Sequence, residues 1–208
     1  MELPDWSISM AGLEYLVFFP FIVLFQVYAW HCYHKNKLTV PVRHMVWSSL
    51  FFVYLLAVIE ITGPGDFRDI GRYGQLIRPE EINLVPLRWA SFFGLTANLL
   101  LFMPLGFFQK LLWNRSLCSA AATGFSFSLL IEISQLVNRR STDIDDLLAN
   151  TLGAVLGWFL CRFLFHNSRK KYQPCGYPPF FLRHAEQFSI VLMFAVNFLV
   201  RPLFRYFH

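Results

Sequence analysis

Residues 129–157 read LLIEISQLVNRRSTDIDDLLANTLGAVLG: two apolar runs on either side of a short, strongly charged turn. At roughly 100° per residue, Ser128, Glu132, Gln135 and Arg139 share one face of the first run. Asp146, Asn150, Gly153 and Gly157 repeat the same i, i+4, i+7, i+11 spacing on the second. Consecutive runs joined by so short a turn are antiparallel neighbours, so the two polar stripes can face each other. This stretch therefore predicts a helical hairpin with a polar seam inside an otherwise apolar environment.

Composition says what that environment is. Of 208 residues, 56% are hydrophobic and 15% charged. Soluble globular domains carry about a quarter charged residues. The balance, with 24 Phe and 6 Trp, predicts an all-α, polytopic transmembrane bundle. A net charge of +5 is then no sign of a nucleic-acid partner, because basic residues in such proteins gather in cytoplasmic loops. Cys32, Cys118, Cys161 and Cys175 are scattered without a disulfide or metal-ligand spacing. The first ten residues, MELPDWSISM, lack the basic start of a secretory signal, so the first apolar run is expected to stay as a span.

Outward from the hairpin, about six spans are predicted. Tyr15–Tyr33 contains no Asp, Glu, Lys or Arg and is long enough to cross a core of about 30 Å. The second span runs from about His44 to Ile61, the third from Trp89 to Gln109, the fourth from Ser116 to Val137 and the fifth from Asp143 to about Phe165. Gln187–Val200 is short for a span, so five spans with an interfacial segment is the alternative count. Three regions result: 1–41, a transmembrane segment with a basic loop; 42–165, a membrane core; and 166–208, a basic Pro/Tyr loop with the last apolar segment. Lys35, Lys37, Arg43, Lys110, Arg115, Arg169, Lys170 and Lys171 favour an extracytoplasmic N-terminus.

That topology predicts one polar layer near the outer surface. Glu60 ends the second span, Asn98 opens the third, Glu132 and Gln135 end the fourth, and Asp143, Asp146 and Asn150 open the fifth. Each has a local alternative. Asp143 and Asp146 suit a helix N-terminus, Asn98 and Asn150 suit interhelical hydrogen bonds, and Gly153 and Gly157, with Ala149, suit close helix packing. Glu132 stands out, since a carboxylate within a span usually faces a cavity or a partner, and Arg139 and Arg140 lie nearby. Guanidinium groups match phosphate or carboxylate, and Asp143, Asp145 and Asp146 have the hard oxygens that a divalent cation takes. No zinc pattern, nucleophile-plus-base arrangement or phosphate-cradling glycine loop is evident, and no organic cofactor is indicated.

Several of these motifs occur together in one family. INLVPL (Ile82–Leu87), NLLLFMPLG (Asn98–Gly106) and the set Glu132, Gln135, Arg140, Asp143, Asp145, Asp146, Asn150, Gly153 and Gly157 resemble the VanZ-like membrane proteins, first named for a teicoplanin-resistance accessory protein. The resemblance runs from Val42 to Phe165, and the C-terminal region looks like an addition. It implies a link to reduced sensitivity to teicoplanin-type glycopeptides. From the residues themselves, two functions stay open beside a purely structural reading in which the polar residues hold the bundle together. One is a pocket that binds membrane lipid, a lipid-linked cell-wall precursor or the antibiotic. The other is an intramembrane enzyme acting on a lipid-linked phosphate, with Glu132 as acid or base and the aspartates as carboxylate or metal-ligand partners.

Overall fold

The computed structural model describes residues 16–38, 42–74, 81–86, 91–138, 140–165 and 179–204. Six helical segments dominate: α1 (Phe18–Lys35), α2 (Val42–Thr62), α3 (Phe92–Trp113), α4 (Leu117–Gln135), α5 (Ile144–Leu164), and a C-terminal segment made of several pieces. That last segment starts with the single turn α6 (Phe180–Arg183), continues as α7 (Ala185–Ala195), passes through a π turn at Val196–Val200 and ends in α8 (Arg201–Phe204). Two-residue strands, β1 (Ile82–Asn83) and β2 (Thr142–Asp143), pair in parallel in the register Ile82↔Thr142 and Asn83↔Asp143. This ladder was not expected from a sequence that reads as all-helical.

Among the described residues, five helices are long and apolar enough to cross a membrane: α2 to α5 and the 20-residue stretch Ala185–Phe204. The last was the doubtful span on sequence, because its uncharged part is short. Its helix extends at both ends through charged residues, Glu186 and Arg201, each of which meets an opposite charge from the core. The first predicted span is also a helix, but Gln26, His31 and His34 dilute it, and it is not one of the five.

Each boundary has a local cause. Ser91 accepts the Gly94 amide at 2.9 Å to start α3, and Ser116 accepts the Ser119 amide at 3.2 Å to start α4. These bonds satisfy amides that have no partner in the first helical turn. Asn114, in the left-handed region at φ 49, ends α3 and permits the tight turn into α4. Pro104 interrupts α3 and deprives the Leu100 carbonyl of its helical donor. At that weakened turn Tyr54 of α2 donates to the adjacent Leu101 carbonyl at 3.1 Å.

Packing centres on α3 and α5, and glycine sets their distance. A Cβ on Gly106 would run into the Ala154 carbonyl, one on Gly153 into the Leu99 carbonyl and one on Gly157 into the Met103 carbonyl. The two backbones are therefore in direct contact along the seam, as small residues allow between membrane helices. Phe51, Phe52 and Leu55 of α2, Phe102 and Leu105 of α3 and Met193 of α7 complete the core. Phe92, Phe93, Phe163 and Phe180 point outward, which in water would be costly and in lipid is not.

The seam generates a test. Gly157→Ala is expected to lower stability by about 1–3 kcal/mol, because the clashing atoms are backbone and cannot rotate away. Gly157→Leu should abolish monodisperse protein, whereas Ala122→Leu on the exposed face of α4 should be tolerated. Thermal unfolding in detergent, followed by size-exclusion chromatography, reads out all three.

Candidate functional site

The turn between α4 and α5 is held by a carboxylate. Glu132, buried one turn before the end of α4, accepts the backbone amide of Asp143 on Oε2 at 3.0 Å. The Thr142 hydroxyl donates to the Glu132 carbonyl at 3.3 Å. Asp143 in turn caps α5: its Oδ1 accepts the Asp145 amide at 2.9 Å and the Asn83 amide group at 3.0 Å. Asn83 is almost fully buried, and its own Oδ1 accepts the Val85 amide at 3.2 Å. The β1–β2 ladder and Asn83 thus tie the loop after α2 to the α4–α5 turn. Buried non-helical backbone needs such partners where water is scarce.

The two polar stripes touch at one pair, Asn150 and Ser128, while the rest of the second stripe turns to α3, where Asp146 meets Asn98 and Gly153 and Gly157 meet the backbone. Asn98 donates to Asp146 Oδ1 at 2.5 Å, and Asn150 donates to Ser128 at 2.9 Å. The Oδ1 of Asn150 is buried without a partner among the described residues. Gln135 points elsewhere, donating to the Thr62 carbonyl at 2.9 Å. Arg140 donates to the same carbonyl, and Asn138 to the Gly63 carbonyl at 3.1 Å. These carbonyls close α2, where Gly63 at φ 54 turns the chain in the left-handed region. Donors there satisfy orphan acceptors, and a guanidinium suits the negative end of the helix dipole. Arg140 therefore caps α2, and the partner of Glu132 is a backbone amide.

Glu60 belongs to a second polar group at the same end of the bundle. It receives Arg201 of α8 at 2.5 Å, and Arg201 also donates to Asn197 at 3.2 Å. Between them and the loop after α2 lies a cavity of about 400 Å³, whose charged lining is Glu60, Asp66, Asp69, Arg68, Arg72 and Arg201. The loop is shaped by a reciprocal cap: Asp66 accepts the Arg68 amide at 2.8 Å, and Asp69 accepts the Asp66 amide at 3.0 Å. Arg72 lies over the Tyr73 ring, 5.6 Å from its centroid.

The predicted layer thus divides into a closed centre, with Glu132, Asp143, Asp146, Asn98 and Asn150, and an open cavity beside Glu60. Gln135 and Arg140 form the partition between them. Arg139 lies outside the described residues. Asp143, Asp145 and Asp146, the candidate ligands for a divalent cation, are not gathered into a site: among the described residues no group of three or more His, Cys, Asp or Glu is placed to hold a metal. Asp143 faces Asn83 and its own helix start, and Asp145 is buried. Ser128, in the predicted stripe, does meet Asn150. The sequence reading missed Asn83, Asn197 and Arg201 as partners. Asn83 lies in the quoted INLVPL segment, but the others carry no local signal, since spacing does not reveal a partner on a distant helix.

Together these features define a polytopic helical membrane protein with a helical hairpin turned into a polar end. The VanZ/LLP1 family model matches residues 51–166, just over half of the chain. The chain belongs to the VanZ/LLP1 family. No curated protein and no solved structure gives a significant match. The matched region includes the whole closed centre and Glu60, and it excludes Asn197 and Arg201.

The Glu132 bond can be separated from any further role of that residue. Glu132→Gln keeps an acceptor for the Asp143 amide and is expected to melt within a few degrees of wild type. Glu132→Leu orphans that amide and should cost about 1–3 kcal/mol. Melting temperatures of the two variants in one detergent check the difference. A stable Glu132→Gln protein without cellular activity would assign the carboxylate a role beyond the turn.

Proposed function

We propose that this VanZ-type membrane protein binds the phosphorylated headgroup of a membrane lipid or lipid-linked cell-wall precursor at the loop end of its bundle. That end faces the extracytoplasmic side in this reading, and binding there lowers sensitivity to teicoplanin-type glycopeptides. The supporting observation is the cavity of about 400 Å³ with Arg68, Arg72 and Arg201 in its lining. Guanidinium forks pair bidentately with phosphate oxygens. The volume falls in the range of about 300–1,000 Å³ that suits small ligands. The closed centre around Glu132 supports the cavity from beneath: Gln135 and Arg140 hold the end of α2 from which Glu60 and the Asp66 loop project.

The test uses the full-length protein in nanodiscs with a polyprenyl phosphate as probe. Arg68→Ala/Arg72→Ala is expected to weaken binding at least about tenfold, the loss of one or two charge-assisted hydrogen bonds. It should also restore teicoplanin sensitivity in cells that depend on the protein. Unchanged affinity in a double variant with wild-type melting would overturn the proposal.

A further inference from the structure

The end of the bundle away from the loops is charged with one sign. No Asp or Glu occurs at positions 15–59, 82–131 or 147–185. The ends of α1, α3 and α5 and the starts of α2 and α4 therefore bring only cations to this end. Glu186 is the one carboxylate there among the described residues, and it is fully buried against Arg115. Counter-charge for the other cations has to come from outside the described chain.

Two of these cations share one aromatic ring. Lys110 of α3 lies 4.9 Å from the centroid of the Trp158 indole, and Arg162, one turn further along α5, lies 5.5 Å from it. The ring is a fixed floor: Trp158 is only 6% exposed, and its Nε1–H donates to the Arg115 carbonyl at 2.8 Å. Lys110 also donates to Asn114 Oδ1 at 2.7 Å. Arg162 is exposed, and its guanidinium, with five N–H donors, meets no oxygen acceptor among the described residues. A ring face attracts a cation but leaves those donors unused. Beside the cations, the outward face of α5 carries Leu152, Leu156, Phe159 and Phe163 at helical spacing, all exposed. Phe159 stands edge-on to the Trp158 ring at 5.2 Å, so this apolar stripe adjoins the charged spot.

We propose that Lys110 and Arg162, set on Trp158, bind the phosphate of an anionic phospholipid in the leaflet at this end, with an acyl chain along the Leu152–Phe163 stripe. This site is separate from the loop-end cavity and does not rest on the reading given for it. Guanidinium and ammonium groups both take phosphate oxygens. A zwitterionic headgroup would bring its own cation to a place that offers no carboxylate to receive it, so the site favours the anionic lipid. A bound lipid clamps the ends of α3 and α5, the pair whose glycine contact positions the polar end.

The experiment titrates the full-length protein in detergent with phosphatidylglycerol or phosphatidylcholine and counts bound lipid by native mass spectrometry. Wild type is expected to prefer phosphatidylglycerol at least about fivefold, the attraction that roughly one basic residue supplies at an anionic surface. Lys110→Gln/Arg162→Gln should lose that preference. Lys35→Gln/Arg43→Gln removes the same charge from exposed positions at the same end and should keep it. Equal binding of the two lipids by wild type, or an unchanged preference in the folded Lys110→Gln/Arg162→Gln protein, overturns the proposal. An equal loss in the Lys35→Gln/Arg43→Gln protein also overturns it, since the attraction is then diffuse. Should the double variant not fold, Arg162→Gln alone decides, because that side chain is exposed; it should weaken phosphatidylglycerol binding about fivefold. If only Arg68→Ala/Arg72→Ala removes the preference, the lipid sits in the loop-end cavity: that reading stands and this one falls.

Discussion

A backbone that leaves the helical conformation at the edge of a membrane must find partners within the protein, and the bond from the Asp143 amide to the Glu132 carboxylate meets that need. Everything at this end of the bundle leans on it. It fixes Asp143, whose carboxylate starts α5 and receives Asn83. Asn83 brings in the loop after α2, and with it the two-residue ladder that aligns this loop with the turn. A carboxylate inside a span is costly alone, but here it accepts a turn amide that has no helical acceptor.

The glycine seam below determines where that bond can form. With Gly106, Gly153 and Gly157 at the contact, α3 and α5 approach until side chains are excluded from between their backbones. This brings Asn98 within 2.5 Å of Asp146. Dispersion between closely packed backbones and a few interhelical hydrogen bonds carry the association, since lipid supplies no hydrophobic drive between helices. The polar end is thus a consequence of close packing in the apolar middle.

The C-terminal helix docks by a different device, with one ion pair toward each end. Arg201 meets Glu60 at the cavity. Glu186, fully buried, meets Arg115 at the opposite end, where Arg115 also donates to the Arg183 carbonyl. Nearby, Lys110 and Arg162 flank the Trp158 ring at 4.9 and 5.5 Å, and its indole donates to the Arg115 carbonyl at 2.8 Å. Cations and an indole together suit a membrane interface. A helix placed between two such pairs has its vertical position set by charge, which explains how it tolerates Glu186 and Arg201 within its length.

The sequence by itself determined the helical class, the boundaries of α2 to α5 within a few residues and the family. These follow from properties read along one segment: apolar length, a 3.6-residue period, and cap residues at the ends. Only the tertiary structure decided which polar groups are partners. Arg140 and Gln135 turn to the end of α2, Glu132 takes a backbone amide, and Glu60 finds Arg201, 141 positions away. It likewise made the last helix long and apolar enough to cross a membrane, with its charges matched across the bundle. A residue's type states what partner it needs, but only the packing of distant helices brings that partner within reach.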